Sequence, residues 1–194
     1  VSGPPRVGRR LETEETLFYG FGYAQAEDHL LDMEMNLLQA TGRLSEAFGA
    51  GENDENINSD FEVRLFKIPQ VAEEKYYQIE GRTRGAIESF VEGINDYINE
   101  HRYELPDWVE EVRSVDVVAM ARYYDSNNGI QMAYEKLGKG SGRPITSASN
   151  SWVISSQRSA TGSVMLHIHP HVPWMNHFQK WYEAHLKLID SSFD

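Results

Sequence analysis

Apolar residues recur at helical spacing through most of the first 137 residues, and that spacing stops there. The clearest stripe runs from Ile87 to Ile98 with i, i+3, i+4 and i+7 spacing, and it predicts a helix that ends near His101. Residues 138–148 are rich in Gly, Ser, Lys and Arg, which is typical of an exposed linker. Short stretches in which apolar and polar residues alternate follow the linker. The pattern predicts an α+β fold, mainly α-helical, with a few β-strands at the C-terminal end.

The first helix is predicted to begin at Thr13, a good N-cap residue followed by two glutamates. Its apolar pattern continues to Gly49. Gly20, Gly22 and Gly42 interrupt the pattern, and glycine inside a helix costs about 1 kcal/mol relative to alanine. We therefore expect close packing at these positions or a break into two helices.

Three further segments complete the helical part. Pro69 can open a helix that continues through Glu80. Ser114 and Asp116 can start another helix towards Leu137, with an interruption expected at Asn127-Asn128-Gly129. Residues 50–58 are predicted to form a polar loop, and the acidic side chains from Glu52 to Asp60 a solvated surface.

The C-terminal part shows strand patterns. Residues 149–155 and 163–169 flank a turn that ends at Gly162, so together they predict a β-hairpin. Apolar and polar residues also alternate over residues 181–188, and we expect a third strand there in preference to a helix.

Composition excludes several classes of function. Asp and Glu number 30 against 18 Lys and Arg, and the net charge of −12 argues against binding to nucleic acid or to an anionic membrane. The absence of cysteine excludes disulfides, thiol nucleophiles and Cys-ligated zinc. No apolar run is long enough for a transmembrane helix. Any catalysis must use hydroxyl, carboxylate, amine or imidazole groups.

Two features could carry chemistry. His167, His169 and His171 alternate along a predicted strand, so they could ligate one metal ion. They could instead cap the strand and line a polar pocket, and we favour this second interpretation because no acidic residue joins the three histidines. A single histidine beside a catalytic hydroxyl is the intermediate interpretation.

The second feature is Ser149, where the linker meets the first strand. If the Ala148–Ser149 bond were cut, the free α-amine of Ser149 would have a pKa of about 7.7–8.0 and could activate its own hydroxyl. One residue would then supply both nucleophile and base. This fits a sequence that has no Gly-x-Ser-x-Gly elbow, phosphate-binding loop or His-Glu-x-x-His motif.

Four stretches resemble the penicillin acylase family, which includes penicillin and cephalosporin acylases and acyl-homoserine-lactone acylases. Ser-Asn-Ser-Trp-Val-Ile-Ser at 149–155 and Trp-Tyr-Glu-Ala-His-Leu at 181–186 resemble the start of the family's β chain. Tyr-Gly-Phe-Gly-Tyr-Ala-Gln-Ala-Glu-Asp at 19–28 and Gly-Arg-Leu-Ser-Glu at 42–46 resemble its α chain. The resemblance extends from about Glu12 to the C-terminus.

The resemblance implies an N-terminal-nucleophile hydrolase with a four-layer αββα sandwich, made as a precursor that excises a spacer. Residues 1–137 would belong to the α chain, 138–148 to the end of the spacer and 149–194 to the start of a truncated β chain. Ser149 would be the nucleophile, freed by cleavage after Ala148. Asn150 would support the site, and His171 would assist cleavage or orient the serine.

The resemblance also implies the surroundings of that site. Tyr123, Tyr124 and Trp174 are candidates for the acyl pocket, although the two tyrosines could instead belong to the core. Asp125 is a candidate ligand for a structural calcium ion, and no cofactor is required for the reaction. The expected substrate is a small N-acyl compound, such as a penicillin, a glutaryl-cephalosporin or an acyl-homoserine lactone. The expected location is periplasmic or secreted.

The sequence also departs from the family. Ala148 stands where a glycine is usual. The oxyanion-hole asparagine of the family falls beyond Asp194, so this chain is expected to be an N-terminal fragment that is inactive without the rest of its β chain. Glu27 and Asp28 are expected to pair with Arg43 or to cap a helix. The alternative is a non-catalytic acidic helical module whose histidine-lined hairpin binds a metal ion or a protein.

Overall fold

The computed structural model describes residues 13–136, 148–171 and 182–188 of the 194-residue chain. Contacts divide the chain into two compact units. The first comprises Val1–Tyr123 and Tyr182–Asp194, and the second comprises Tyr124–Trp181. In the described residues the first unit is helical, and the second contains a β-hairpin.

The elements follow one another in a simple order. The helices are α1 (Glu14–Thr41), α2 (Leu44–Phe48), α3 (Glu55–Leu65), α4 (Ile68–Tyr76), α5 (Gly81–Glu100) and α6 (Ser114–Lys136), and the strands are β1 (Ala148–Ile154) and β2 (Met165–His171). Two 3-10 turns lie at Glu52–Asp54 and Arg102–Glu104. The mainly helical chain with a small C-terminal sheet confirms the predicted fold class.

The ends of α1 follow the prediction from sequence. The Thr13 hydroxyl accepts a hydrogen bond from the Thr16 backbone N–H at 3.2 Å, which caps the first turn. Gly42 ends the helix with a left-handed backbone, φ 70°, a conformation that glycine adopts without strain. The long apolar pattern is therefore two helices, as the glycines indicated. The second, α2, is only five residues long.

Glycines bring α1 and α5 into close contact. A Cβ atom built on Gly22 would lie 1.9 Å from the backbone oxygen of Phe90, and one on Gly93 would lie 2.0 Å from that of Tyr19. Neither position has room for any side chain. The expectation of close packing is therefore confirmed at Gly22.

Two hydrophobic clusters stabilise the helical unit. The larger cluster joins α1, α5 and the segment before α6, and its buried residues are Ala26, Leu30, Leu37, Val91, Ile94, Ile98, Val109 and Val112. The smaller cluster joins α3, α4 and α6, and its buried residues are Val63, Ile68, Ala72 and Ala119. The apolar stripe of α5 therefore faces the core, as the helical spacing predicts.

Three predictions for the helical part are wrong. Residues 50–58 are not a loop throughout, because α3 already begins at Glu55. Asp60 is not solvated: it is only 4% exposed and accepts hydrogen bonds at the start of α2. The interruption expected at Asn127-Asn128-Gly129 is also absent, since α6 is one continuous helix through these residues.

The prediction of a strand over residues 181–188 is also wrong for residues 182–188, which the structure describes. Residues 182–188 have no regular secondary structure, and Trp181 lies outside the described residues. Tyr182 is instead held by side chains of α1. Its hydroxyl donates to Asp28 Oδ2 at 2.9 Å, and its ring lies 5.8 Å from that of Phe21.

The pairing expected for Arg43 differs as well. Its guanidinium contacts Glu46 at 2.8 Å and Glu110 at 2.9 Å, not Glu27 or Asp28. Asp28 accepts the hydroxyl of Tyr182 instead. The residues around the α1–α2 break therefore tie this region to the segment before α6.

Among the helices in the described part of the chain, none combines the length and hydropathy needed to cross a lipid bilayer.

Candidate active site

The candidate site lies on the hairpin formed by β1 and β2. The strands pair antiparallel, with Ala148 opposite His171, Ser149 opposite Pro170 and Asn150 opposite His169. The connection contains Gly162, whose φ of 73° is in the left-handed region. The hairpin predicted from the two alternating stretches is confirmed, with β2 extending two residues further, to His171.

The strand register sorts the site residues onto two faces. Directly opposed residues of an antiparallel pair share a face, and neighbours along a strand alternate. Asn150, His169 and His171 therefore lie on one face. Ser149 lies on the other face with Ser151, and both serines are exposed.

The structure brings Asn150 and His171 together. Asn150 Nδ2 lies 3.1 Å from His171 Nε2. An amide nitrogen only donates, so in this arrangement the side-chain amide of Asn150 is the donor and Nε2 of His171 is the acceptor.

The histidines of β2 continue along the same face. The rings of His169 and His171 are 4.5 Å apart, and those of His167 and His169 are 6.0 Å apart. Trp152 stacks on His167 at 4.0 Å with an interplanar angle of 12°. Within residues 13–136, 148–171 and 182–188, no three His, Asp or Glu side chains form a group able to hold a metal ion.

The other candidate residues lie on α6 or outside the described residues. Tyr123 packs against the smaller hydrophobic cluster, which agrees with the alternative interpretation that it belongs to the core. Tyr124 is 49% exposed, and Asp125 is exposed too. Asp125 joins no group of three potential ligands among the described residues, so they do not form a calcium site on their own. Trp174 lies outside the described residues.

Comparison with known proteins decides the family. The sequence model of the penicillin amidase family matches residues 12–193, which is nearly the whole chain. The chain belongs to the penicillin amidase family. The span of the match agrees with the resemblance seen in the sequence from about Glu12 onwards.

Similar curated proteins of this family are acylases. An acyl-homoserine lactone acylase PvdQ from Pseudomonas fluorescens is 26% identical, with 96% of this chain covered. The aculeacin-A acylase of Actinoplanes utahensis is 24% identical, with 89% covered. The chain spans 28% and 27% of the lengths of these two proteins.

A solved structure shows the same fold. A thermostable penicillin G acylase from Alcaligenes faecalis superposes with a TM-score of 0.55 at 23% sequence identity. The match covers 66% of this chain and 76% of that chain. The helical fold with its hairpin is therefore that of part of a penicillin acylase.

Sequence reasoning named Asn150 and His171 but did not anticipate the bond between them. Both residues were assigned to the site separately, and only the pairing of β1 with β2 sets the distance between the two side chains. The sequence analysis also did not anticipate the buried carboxyl group of Glu34 on α1, although Glu34 stands between Met33 and Met35 in a helix with a buried apolar face.

Proposed function

We propose that this chain is the N-terminal part of a self-processing acylase that hydrolyses the amide bond of small N-acyl compounds. The observation that carries the proposal is the place of Ser149. It is an exposed residue directly after Ala148 in β1, next to an asparagine that is bonded to His171. Membership of a family whose similar curated members are acylases supports the reaction type.

The proposed processing step uses the chain's own serine. Ser149 Oγ attacks the carbonyl carbon of Ala148, and the peptide bond breaks as its nitrogen takes a proton, which leaves Ala148 esterified to Ser149. Water then hydrolyses the ester. The products are a carboxylate on Ala148 and a free α-amine on Ser149, the base that the hydroxyl needs.

The hairpin tolerates such a cut. In the register of β1 and β2, only the pair formed by Ala148 and His171 includes a residue on the N-terminal side of the scissile bond. Every other pair, from Ser149 opposite Pro170 onwards, lies after it. The proposed nucleophile therefore keeps its strand partner after cleavage.

The acylase reaction repeats this chemistry on a substrate. The α-amine of Ser149 takes the proton of Oγ, and Oγ attacks the substrate's amide carbonyl. The amine part of the substrate takes this proton and leaves, and water then hydrolyses the acyl ester on Ser149. Acylation of one hydroxyl followed by hydrolysis divides one difficult step into two easier ones, without a bound cofactor.

Asn150 and His171 are positioning residues in this proposal. They share the face opposite Ser149, so His171 acts on the serine through the backbone that Asn150 anchors.

The remaining assignments belong to the same proposal. The substrate is an N-acyl compound of the class named for the relatives, which includes acyl-homoserine lactones and penicillins. Tyr124 and Trp174 are proposed contacts of the acyl chain, and Asp125 a ligand of a structural calcium ion completed by residues beyond those described. The rest of the β chain supplies the oxyanion donors, and the site of action is periplasmic or extracellular.

The decisive experiment compares two serines on one strand. Intact mass and N-terminal sequencing are measured on the longest precursor with Ser149→Ala or Ser151→Ala. Ser151 lies on the same face as Ser149 and is also exposed, so it is the matched control. We expect cleavage before residue 149 in the wild type and in Ser151→Ala, and neither cleavage nor amide hydrolysis in Ser149→Ala.

Two results would overturn the proposal. Maturation and amide hydrolysis by Ser149→Ala would show that another group is the nucleophile. An uncut Ala148–Ser149 bond in folded wild-type precursor would favour the non-catalytic binding module instead.

A further inference from the structure

Glu34 is a buried carboxyl group in the helical unit. It lies on α1 and is only 5% exposed. The nearby backbone N–H of Glu110 favours the ionised form of the carboxyl group. Among the described residues, Oε1 of Glu34 is the one buried side-chain oxygen or nitrogen without a hydrogen-bond partner. Such an atom carries a desolvation cost that needs a compensating interaction.

Glu34 lines a small cavity. The cavity measures about 20 Å³, which is room for a single water molecule. Its uncharged lining consists of Leu37, Leu38, Thr41 and Val112. The cavity therefore lies where the end of α1 meets the segment that precedes α6.

The charged groups that face Glu34 are mostly acidic. Arg43 lies between α1 and α2, Glu110 and Glu111 lie before α6, and Asp116 lies in its first turn. Arg43 already contacts the carboxylates of Glu46 and Glu110, at 2.8 and 2.9 Å.

The cavity's other acids keep their own partners. Asp116 is paired with Arg113 at 2.6 Å, and Glu111 accepts a hydrogen bond from Asn99 at 3.1 Å. Among the described lining residues, Arg43 is the one cation, and it is shared with two other carboxylates. A charge on Glu34 would therefore be poorly compensated.

The protonation equilibrium of Glu34 reflects these surroundings. Burial raises the pKa of Glu34 to about 7, and the nearby charges of Glu110 and Asp116 act in the same direction. The Glu110 N–H and the Arg43 guanidinium oppose the rise and are outweighed.

We propose that Glu34 is a proton-binding switch: the neutral carboxyl stabilises the packing of α1 against the segment before α6, and its ionisation weakens that packing. The folded chain then holds a proton that the unfolded chain releases at lower pH. Stability falls as pH rises from the ordinary pKa of 4.5 to the folded value of about 7. Above that range Glu34 is ionised in the folded chain and the loss of stability is complete, and below it Glu34 causes no loss of stability.

The first test compares Glu34→Gln with wild type. Glutamine keeps the size of the side chain and cannot ionise. We expect the wild-type unfolding equilibrium constant, relative to that of Glu34→Gln, to rise with pH by up to about tenfold per unit between pH 5 and 7 and then to level off. Urea unfolding of the longest available version of the protein, at a series of pH values, measures this ratio.

Glu111→Gln is the matched control, since Glu111 lines the same cavity but is exposed. We expect it to keep the wild-type pH dependence. Equal pH dependence of unfolding in wild type and Glu34→Gln would overturn the proposal. The proposal would also be overturned if Glu111→Gln lost the pH dependence of the wild type in the way expected for Glu34→Gln.

A second measurement needs no variant. Infrared difference spectra of wild-type protein labelled with carbon-13 glutamate report protonated glutamate side chains directly. Glu34 is the one buried glutamate among the described residues, so we expect a protonated-carboxyl band at pH 6 that disappears by pH 8. Absence of this band at pH 6 would overturn the proposal even if Glu34→Gln failed to fold.

Discussion

Asp60 of α3 caps the N-terminus of α2, another helix. Its carboxylate accepts the backbone N–H groups of Leu44 and Ser45 at 2.8 and 2.9 Å, and the Ser45 hydroxyl at 2.5 Å. The N-cap residue of α2, Arg43, makes no side-chain capping bond. A side chain of α3 thus satisfies the free N–H groups of a five-residue helix that could not persist alone.

We predict that Asp60→Ala lowers the free energy of unfolding by about 2–4 kcal/mol, because buried donors lose a charged acceptor. Urea denaturation measures the change. Glu52→Ala, at an exposed position of the same acidic stretch, is the control and is expected to change stability by less than about 0.5 kcal/mol. An equal effect of both substitutions would contradict the capping role.

At the scale of elements, the pairing of α1 with α5 organises the helical unit. Gly22 and Gly93 let the two backbones touch, and tyrosines beside the contact bond across it. Tyr19 donates to Asp96 and Tyr23 to Glu100, each at 2.6 Å. These bonds raise the pKa of Tyr19 and of Tyr23 to about 12. The two helices are therefore joined by van der Waals contact and by hydrogen bonds to charged acceptors.

We predict that Gly22→Ala and Gly93→Ala each lower the free energy of unfolding by about 2–4 kcal/mol, because a Cβ atom would collide with backbone that cannot move alone. Gly85→Ala is the matched control within α5, since nothing lies within 4 Å of its added Cβ. It is expected to raise stability by about 0.5–1 kcal/mol through helix propensity. Thermal and urea unfolding of the three variants distinguish the cases, and a stabilising Gly93→Ala would refute the close contact.

At the scale of the whole molecule, the hairpin displays apolar side chains on both faces. Trp152 is 53% exposed on one face, and Leu166 and Ile168 are 63% and 64% exposed on the other. Exposed apolar area of this kind marks a surface that is covered in a complete protein. The chain spans only 28% of the length of its PvdQ relative, and the proposed remainder of the β chain would supply that cover.

We predict that Trp152 and Leu166, which lie on opposite faces of the hairpin, are oxidised several-fold more slowly in the longest precursor than in the 194-residue chain, because the added part of the chain would cover both faces. Hydroxyl-radical footprinting with mass spectrometry measures the rates, normalised to each chain unfolded in urea. Equal rates in the two proteins would mean that the hairpin stays exposed and that the two-sided cover is wrong.

The sequence by itself determined the elements whose signals are local. Helical spacing predicted α5, and two stretches of alternating apolar and polar residues predicted the hairpin. The glycines at positions 20, 22 and 42 indicated either close packing or a break in the first helix, and the structure shows close packing at Gly22 and a break at Gly42. The motifs around Tyr19 and Ser149 identified the family. Each of these signals is contained within a few neighbouring residues, where backbone preference and side-chain periodicity act.

Only the tertiary structure decided which side chains meet. Asp60 looked like a surface acid because its partners at Leu44 and Ser45 belong to another helix. The charge environment of Glu34 depends on Glu110 and Asp116, which are far away in sequence. The bond between Asn150 and His171 required the register of two strands. Burial and electrostatic interaction depend on distance in space, and that distance is set by packing between elements.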